Sequence, residues 1–243
     1  MSLRPSYSHQ PSSWPAIGRA LLAGVTAAAV VEVGVVVLGL FVVGRRGGGP
    51  IQGWDHTVWS WFLHHRGGLI GVSKVVAVVF DAVALGPIAL GLTLVLLALG
   101  QRMRALAPLV AYLGGEFFVF FTRVFVHRPR PISANYPAPF AIPGVHETSF
   151  SYPSGHSTAG SAVLISLGVL AIVTWRTWMP WLVAGLLALA GLGVACTRLI
   201  LGVHWFSDVA FGAAAGLAWG ILTVLILRDV PWPFAGGIRR RRA

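Results

Sequence analysis

Residues Thr197 through Asp208 read TRLILGVHWFSD. The string joins two apolar runs, roughly 179–197 and 207–227, each near the ~20 residues that carry a helix across a bilayer. It therefore lies at a membrane edge, and it brings a guanidinium, an imidazole and a carboxylate there. His204 and Asp208 are four apart, so they share a face wherever a helix passes through them. A carboxylate that accepts the Nδ1 proton of an imidazole fixes its tautomer and leaves Nε2 free to attack. Arg198, on the same short loop, can fork two N–H groups onto phosphate oxygens. Taken alone, an interfacial histidine followed by a helix-capping aspartate is the plainer account of these residues.

The apolar grain extends through the chain. Of 243 residues, 56% are hydrophobic and only 10% charged, against about 25% charged in soluble domains. Six spans are predicted, at about 17–43, 83–100, 104–126, 157–174, 179–197 and 207–227. The fold class is all-α, a polytopic bundle of six transmembrane helices. Residues 1–230 form one membrane-embedded domain and 231–243 a basic cytoplasmic tail, expected to be mobile. The first run is too long for a signal-peptide core and reads as a retained anchor. The segment 69–81 (LIGVSKVVAVVFD) is too short to span and reads as an interfacial helix leading into the second span.

Charge sets the orientation. The net charge is +11, with 18 Lys+Arg against 7 Asp+Glu. Arg4, Arg19, Arg102, Arg104, Arg176, Arg228 and Arg239–Arg242 fall on one side of a six-span bundle, which puts both termini in the cytoplasm. Arg45, Arg46, Arg66, Arg123, Arg128, Arg130 and Arg198 fall on the other side, several of them held there for function. Nucleic-acid binding is not expected, because no soluble basic domain is present to carry it. Cys196 is the only cysteine, so there is neither a disulfide framework nor a cysteine metal site. Trp175, Trp178 and Trp181 at one boundary, with Trp205 at the other, suit an aromatic belt. Gly212, Gly216 and Gly220 recur every four residues on the last span, a ridge for close helix packing.

Two further strings end on the same face as the first. Tyr152 through His156 reads YPSGH directly before the fourth span. Ser154, Gly155 and His156 open a helix whose first N–H groups lack partners and point at any bound anion. Gly155 permits close approach of a ligand, and His156 is placed to protonate a leaving alkoxide. An ordinary capped helix start explains Ser-Gly but not the histidine. Arg123 through Pro131 reads RVFVHRPRP and closes the third span, where the prolines force the chain out of the helix. Arg128 reads as a cation snorkelling toward headgroups.

Together the strings are similar to the tripartite motif of the type 2 phosphatidic acid phosphatase superfamily, which also contains vanadium haloperoxidases. That motif is Lys-x6-Arg-Pro, then Pro-Ser-Gly-His, then Ser-Arg-x5-His-x3-Asp. Order and spacing match, and the resemblance covers roughly residues 50–228. Arg123 stands in place of the Lys and Thr197 in place of the Ser, each keeping the charge or hydroxyl. The resemblance implies His204 as a nucleophile that forms a phosphohistidine, Asp208 as its orienting partner and His156 as the general acid. It implies Arg123, Arg130, Ser154, Gly155 and Arg198 as the cradle for phosphoryl oxygens in a membrane phosphatase. The orientation set by charge puts that site on the extracytoplasmic face of the cell membrane, and the small, Ala/Gly/Val/Arg-rich chain suggests a bacterial source. The implied partner is a lipid phosphate or diphosphate in the bilayer: phosphatidic acid, phosphatidylglycerol phosphate or undecaprenyl diphosphate.

No cofactor is called for. A magnesium or two-metal site wants converging carboxylates, and Asp208 is the sole acid within the three strings. Glu116, seven residues before Arg123, shares its helix face and suits a supporting partner, or a buried acid satisfied by a neighbouring span. Glu32 is an intramembrane acid with nothing tying it to the motifs. The Pro-rich linker 132–151 could cover the site as a lid, with His146 and Glu147 as solvated loop residues. Two other functions use the same residues: a lipid-phosphate transporter that does not cleave, disfavoured by the pair His156 and His204, and a vanadate-binding haloperoxidase, disfavoured by six apolar spans.

Overall fold

The computed structural model describes residues 14–131, 142, 145, 147–175, 177–228 and 230. Arg4, Arg176, His146, most of the linker and the tail 231–243 lie outside the described residues. Every regular element among those described is helical. Helix α1 (Trp14–Leu38) runs on as a π turn (Gly39–Gly44). Then come α2 (Gln52–His65), α3 (Ile70–Val79), α4 (Ala82–Ala98), α5 (Ala107–Val126), α6 (Gly155–Thr174), α7 (Met179–Ile200) and α8 (Phe206–Leu227).

Among the described residues, five segments are long and apolar enough to cross a membrane: Pro15–Gly44, Arg102–Val126, Gly155–Thr174, Met179–Ile200 and Phe206–Leu227. The remaining predicted span is one arm of a bent pair. Gly67–Val79 and Ala82–Ala98 meet at 59°, and the count reaches six if that pair crosses as one broken span. The bend has a local cause: Asp81 is extended (φ −65°, ψ 148°) and its carboxylate accepts from Val83 N–H at 3.0 Å, capping α4. The segment predicted to lie along the interface is α3, and it packs against α7. Helix α2 was not anticipated.

Helix α6 is the centre of the bundle, packed by α5, α7 and α8. Small residues make this possible. A Cβ on Gly216 would stand 2.2 Å from the Thr158 carbonyl oxygen, and one on Gly220 would stand 2.6 Å from that of Ala162. The glycine ridge of α8 therefore lies directly against the α6 backbone. Apolar side chains face outward instead: Leu22, Val25, Phe120, Leu189 and Leu192 are all more than half exposed, as lipid-facing positions are. Trp175, Trp178 and Trp181 are likewise exposed. Trp205 is not part of a belt. It is only 6% exposed, packs on Trp59 and donates its indole N–H to the Pro129 carbonyl at 3.0 Å.

This packing brings three chain ends together. Helix α5 stops where His127 adopts a left-handed conformation (φ +47°), and Arg128–Pro131 follows as irregular chain. Helix α6 starts at the Ser154 cap, and residues 201–205 connect α7 to α8. The Ser154 N–H donates to the Asp208 carbonyl at 3.0 Å, tying two of these ends directly.

Candidate active site

Asp208 lies in the first turn of α8 and reaches back to the Trp205 N–H, which donates to Oδ2 at 2.9 Å. This carboxylate caps its own helix. The same oxygen faces His204 Nδ1 at 3.4 Å, while His204 Nε2 lies 2.9 Å from Arg130 Nη1. A guanidinium has only donors, so Nε2 carries the lone pair and Nδ1 the proton. His204 is 1% exposed. Burial first, and then the charges of Arg130, Arg198 and Arg123, hold its pKa well below the ordinary 6.5.

Behind Asp208 stands a buried lattice that the sequence did not reveal. Arg128 donates through Nη1 to Asp208 Oδ1 and Ser207 Oγ, both at 2.7 Å, and through Nη2 to Asp55 Oδ2 at 2.5 Å. Asp55, on α2, also accepts from the Ser207 N–H at 2.8 Å and the Ser207 hydroxyl at 2.7 Å. The Arg128 guanidinium sits 5.3 Å from the Trp205 ring centroid. Arg128 is 1% exposed and Asp55 is fully buried, so the snorkelling reading of Arg128 is wrong. The left-handed turn at His127 takes Arg128 off the helix face that would have led to headgroups. The one signal for Asp55 was its rarity, an acid in a chain with seven.

A cavity of about 160 Å³ is lined by Arg123, Arg130, Gly155, His156 and His204, with Glu116, Glu147, Asp81 and Ser149 among the other walls. Two larger cavities adjoin it through shared walls. One, of about 500 Å³, lies among α3, α4 and α7 and shares His156, Glu147 and Asp81 with it; Arg198 and Lys74 also line it. The other, of about 430 Å³, runs along α5 past Phe120, Val124 and Phe150 and shares Glu116, Val119, Arg123 and Ser149. His156 donates from Nε2 to the Ala77 carbonyl at 2.9 Å. Ser154 does not line the small cavity. Its hydroxyl accepts from the Ser157 N–H at 3.4 Å and the Ser157 hydroxyl at 3.0 Å, capping α6. A Cβ on Gly155 would meet only Val119, at 3.7 Å.

The arginines are held by the chain itself. Arg130 donates from Nε to the Ser149 carbonyl at 2.8 Å, from Nη2 to the Ser149 hydroxyl at 3.0 Å and from Nη1 to the Val203 carbonyl at 3.1 Å. Burial lowers its pKa to about 10, which leaves it charged at neutral pH. Glu147 is not merely a solvated loop residue: it pairs with Arg130 at 3.1 Å and with Arg198. Glu116 lines the cavity, and Glu32 accepts from the Thr122 hydroxyl at 3.0 Å, one residue from Arg123. Among the described residues, no group of three His, Cys, Asp or Glu is arranged to hold a metal ion.

Such an arrangement can bind a multiply charged oxyanion and expose its central atom to a neutral imidazole, with a second imidazole in the same cavity. Comparisons with known proteins agree. The family model described as PAP2 superfamily matches residues 104–232. Phosphatidylglycerophosphatase B of Bacillus subtilis (strain 168) is 36% identical over 84 residues, a match covering 32% of this chain and 40% of that protein's length. The crystal structure of a transmembrane PAP2-type phosphatidylglycerolphosphate phosphatase from Bacillus subtilis superposes with a TM-score of 0.60 at 19% identity. That match covers 86% of this chain and 92% of the other, and it shows a shared fold. With the family model spanning more than half of its length, this multi-pass membrane chain belongs to the PAP2 superfamily.

Proposed function

We propose that this chain is an integral membrane phosphatase that removes the terminal phosphate of a lipid phosphate or diphosphate through a phosphohistidine. One observation carries the reading. The His204 Nε2 lone pair lies 2.9 Å from Arg130, in a cavity that Arg123 and His156 also line. A phosphoryl oxygen that takes over this Arg130 N–H frees the lone pair and puts phosphorus beside it.

Arg123, Arg130 and Arg198 hold the equatorial oxygens, since phosphoryl transfer is mainly positioning and stabilisation of charge there. Ser154 serves by capping α6, whose first N–H groups, from Gly155, present the positive end of the helix dipole. His204 Nε2 attacks phosphorus as the bond to the lipid oxygen breaks. Asp208, anchored by Arg128, stabilises the positive charge that the ring acquires. His156 enters this step as the imidazolium, its charge favoured by the bound phosphate; Nε2–H stays on the Ala77 carbonyl and the Nδ1 proton goes to the departing oxygen. Water then attacks the phosphohistidine and passes its proton to His156. The P–N bond breaks and inorganic phosphate leaves.

No metal is assigned to the reaction, because Asp55, Asp208 and Glu147 are each engaged by arginines and the cluster attracts anions. The name of the Bacillus relative supports phosphatidylglycerol phosphate as the substrate. Phosphatidic acid and undecaprenyl diphosphate offer the same terminal group. The two adjoining cavities give the lipid chains a sideways route into the bilayer. Both termini are cytoplasmic and the site faces outward, with residues 1–230 as one domain. The test is phosphate release from these three lipids by purified protein in detergent with EDTA. Wild type releases phosphate and His204→Ala does not; full activity in His204→Ala ends the nucleophile assignment.

A further inference from the structure

The arginine cluster already holds an anion. Glu147, between α5 and α6, lays Oε1 on Arg198 Nη2 and Oε2 on Arg130 Nη2. That is one oxygen per guanidinium, as two terminal oxygens of a bound phosphate would be shared. Arg123 is left out. Among the described residues its Nη2 reaches only the Pro153 carbonyl, at 3.5 Å, and its Nε, like that of Arg198, is buried without a hydrogen-bond partner. The cluster is therefore closed to a two-oxygen ligand and unfinished for a three-oxygen one.

Resting on the reading of these arginines as a phosphate cradle, we propose that Glu147 is a specificity-determining residue. It is a tethered competitor that a ligand displaces only by bringing a third terminal oxygen to Arg123. The competitor it guards against is the bilayer itself. Phosphodiester headgroups carry one negative charge and two terminal oxygens, which is also what a carboxylate offers. The tethered group has the advantage of a high effective concentration and loses no translational freedom on binding. A phosphomonoester, or the end of a diphosphate, has three terminal oxygens and up to two charges near neutral pH. Its third oxygen satisfies donors on Arg123 that are otherwise stranded, and a stranded buried donor is costly. Glu147 weakens every anion alike; only three-oxygen ligands remain strong enough to bind at membrane concentrations. Rejection of the wrong ligand by a built-in obstacle is how many sites gain specificity. The carboxylate is 26% exposed and lines both the small cavity and the 500 Å³ one, so it has space into which to withdraw.

The test needs no turnover. Full-length protein in detergent, wild type and Glu147→Gln, is titrated calorimetrically with inorganic phosphate, with and without phosphatidylglycerol in the micelles. Glu147→Gln should bind phosphate about tenfold tighter. Phosphatidylglycerol should then weaken that binding in the variant and leave wild type unaffected. Glu147→Asp, charged but one methylene shorter, should fall between them. Unchanged or weaker phosphate binding in Glu147→Gln makes the ion pairs purely structural and overturns the proposal. So does a wild type that phosphatidylglycerol inhibits as strongly as the variant. A wild type showing these binding shifts but releasing no phosphate from any lipid sinks the phosphatase reading and leaves this one standing.

Discussion

His204 sits between opposing influences, and the structure shows which prevails. A neighbouring carboxylate normally raises an imidazole pKa, but the Asp208 charge is spent on Arg128 at 2.7 Å and on the Trp205 N–H. Burial and three facing arginines act the other way and win. Since only the neutral ring can attack, the acid limb of kcat/KM that belongs to His204 should lie well below pH 6.5. A pH–rate profile checks this, and the limb should be missing from no variant that keeps the nucleophile. Asp55 makes a second prediction. Asp55→Ala leaves Arg128 with one carboxylate and Ser207 without an acceptor, and breaking a buried pair costs about 3–5 kcal/mol. Thermal unfolding in detergent should show a large drop, less severe in Asp55→Asn, which keeps an acceptor oxygen for Ser207. His204 with Asp208, and Arg130 with Arg123, were legible because the spacing of each pair is local to its own string. Arg128 and Glu147 were not: their partners lie 73 to 80 and 17 to 51 residues away, and only the path of the chain decides such pairs.

At the scale of elements, hydropathy located the long helices because lipid demands continuous apolar runs with every backbone group bonded internally. It missed α2, whose 14 residues include Gln52, Asp55, His56, His64 and His65 and resemble a polar loop. It could not foresee that α3 and α4 form a bent pair, since that depends on how Asp81 caps α4. The glycine ridge is the element whose role was read directly. A methyl group at Gly216 meets the α6 backbone at 2.2 Å, with no flexible side chain to yield. Gly216→Ala should therefore lower the apparent melting temperature and activity together, by separating α8 from the helix that carries His156. Gly185 on α7 has nothing within 4 Å of an added Cβ. Gly185→Ala should leave both unchanged or raise stability slightly, as expected of a helical glycine with free space, by up to about 1 kcal/mol.

Over the whole molecule, the two ends of the bundle use their arginines differently. At the site end, Arg128, Arg130 and Arg198 are buried and paired, at 6% exposure or less, while Arg45 and Arg46 stay exposed. At the other end, Arg102, Arg104 and Arg228 line a single open cavity of about 390 Å³, where Arg104 Nε donates to the Arg228 carbonyl at 3.2 Å. Topology responds to cations that stay at the interface, so buried site arginines should be discounted from the count. In the six-span reading that leaves Arg45, Arg46, Arg66, Lys74 and Arg123 on the site side against Arg4, Arg19, Arg102, Arg104, Arg176, Arg228 and Arg239–Arg242 on the other, and the proposed orientation puts the second, larger group in the cytoplasm. The exposed positions Thr148, at the site end, and Trp178, in the α6–α7 turn at the opposite end, report on this directly. With the sole cysteine removed by Cys196→Ser, Thr148→Cys should react with a membrane-impermeant maleimide on intact cells. Trp178→Cys should react only after permeabilisation. The reverse pattern would put the arginine cluster in the cytoplasm, and the charge excess would then have to be explained without the positive-inside rule.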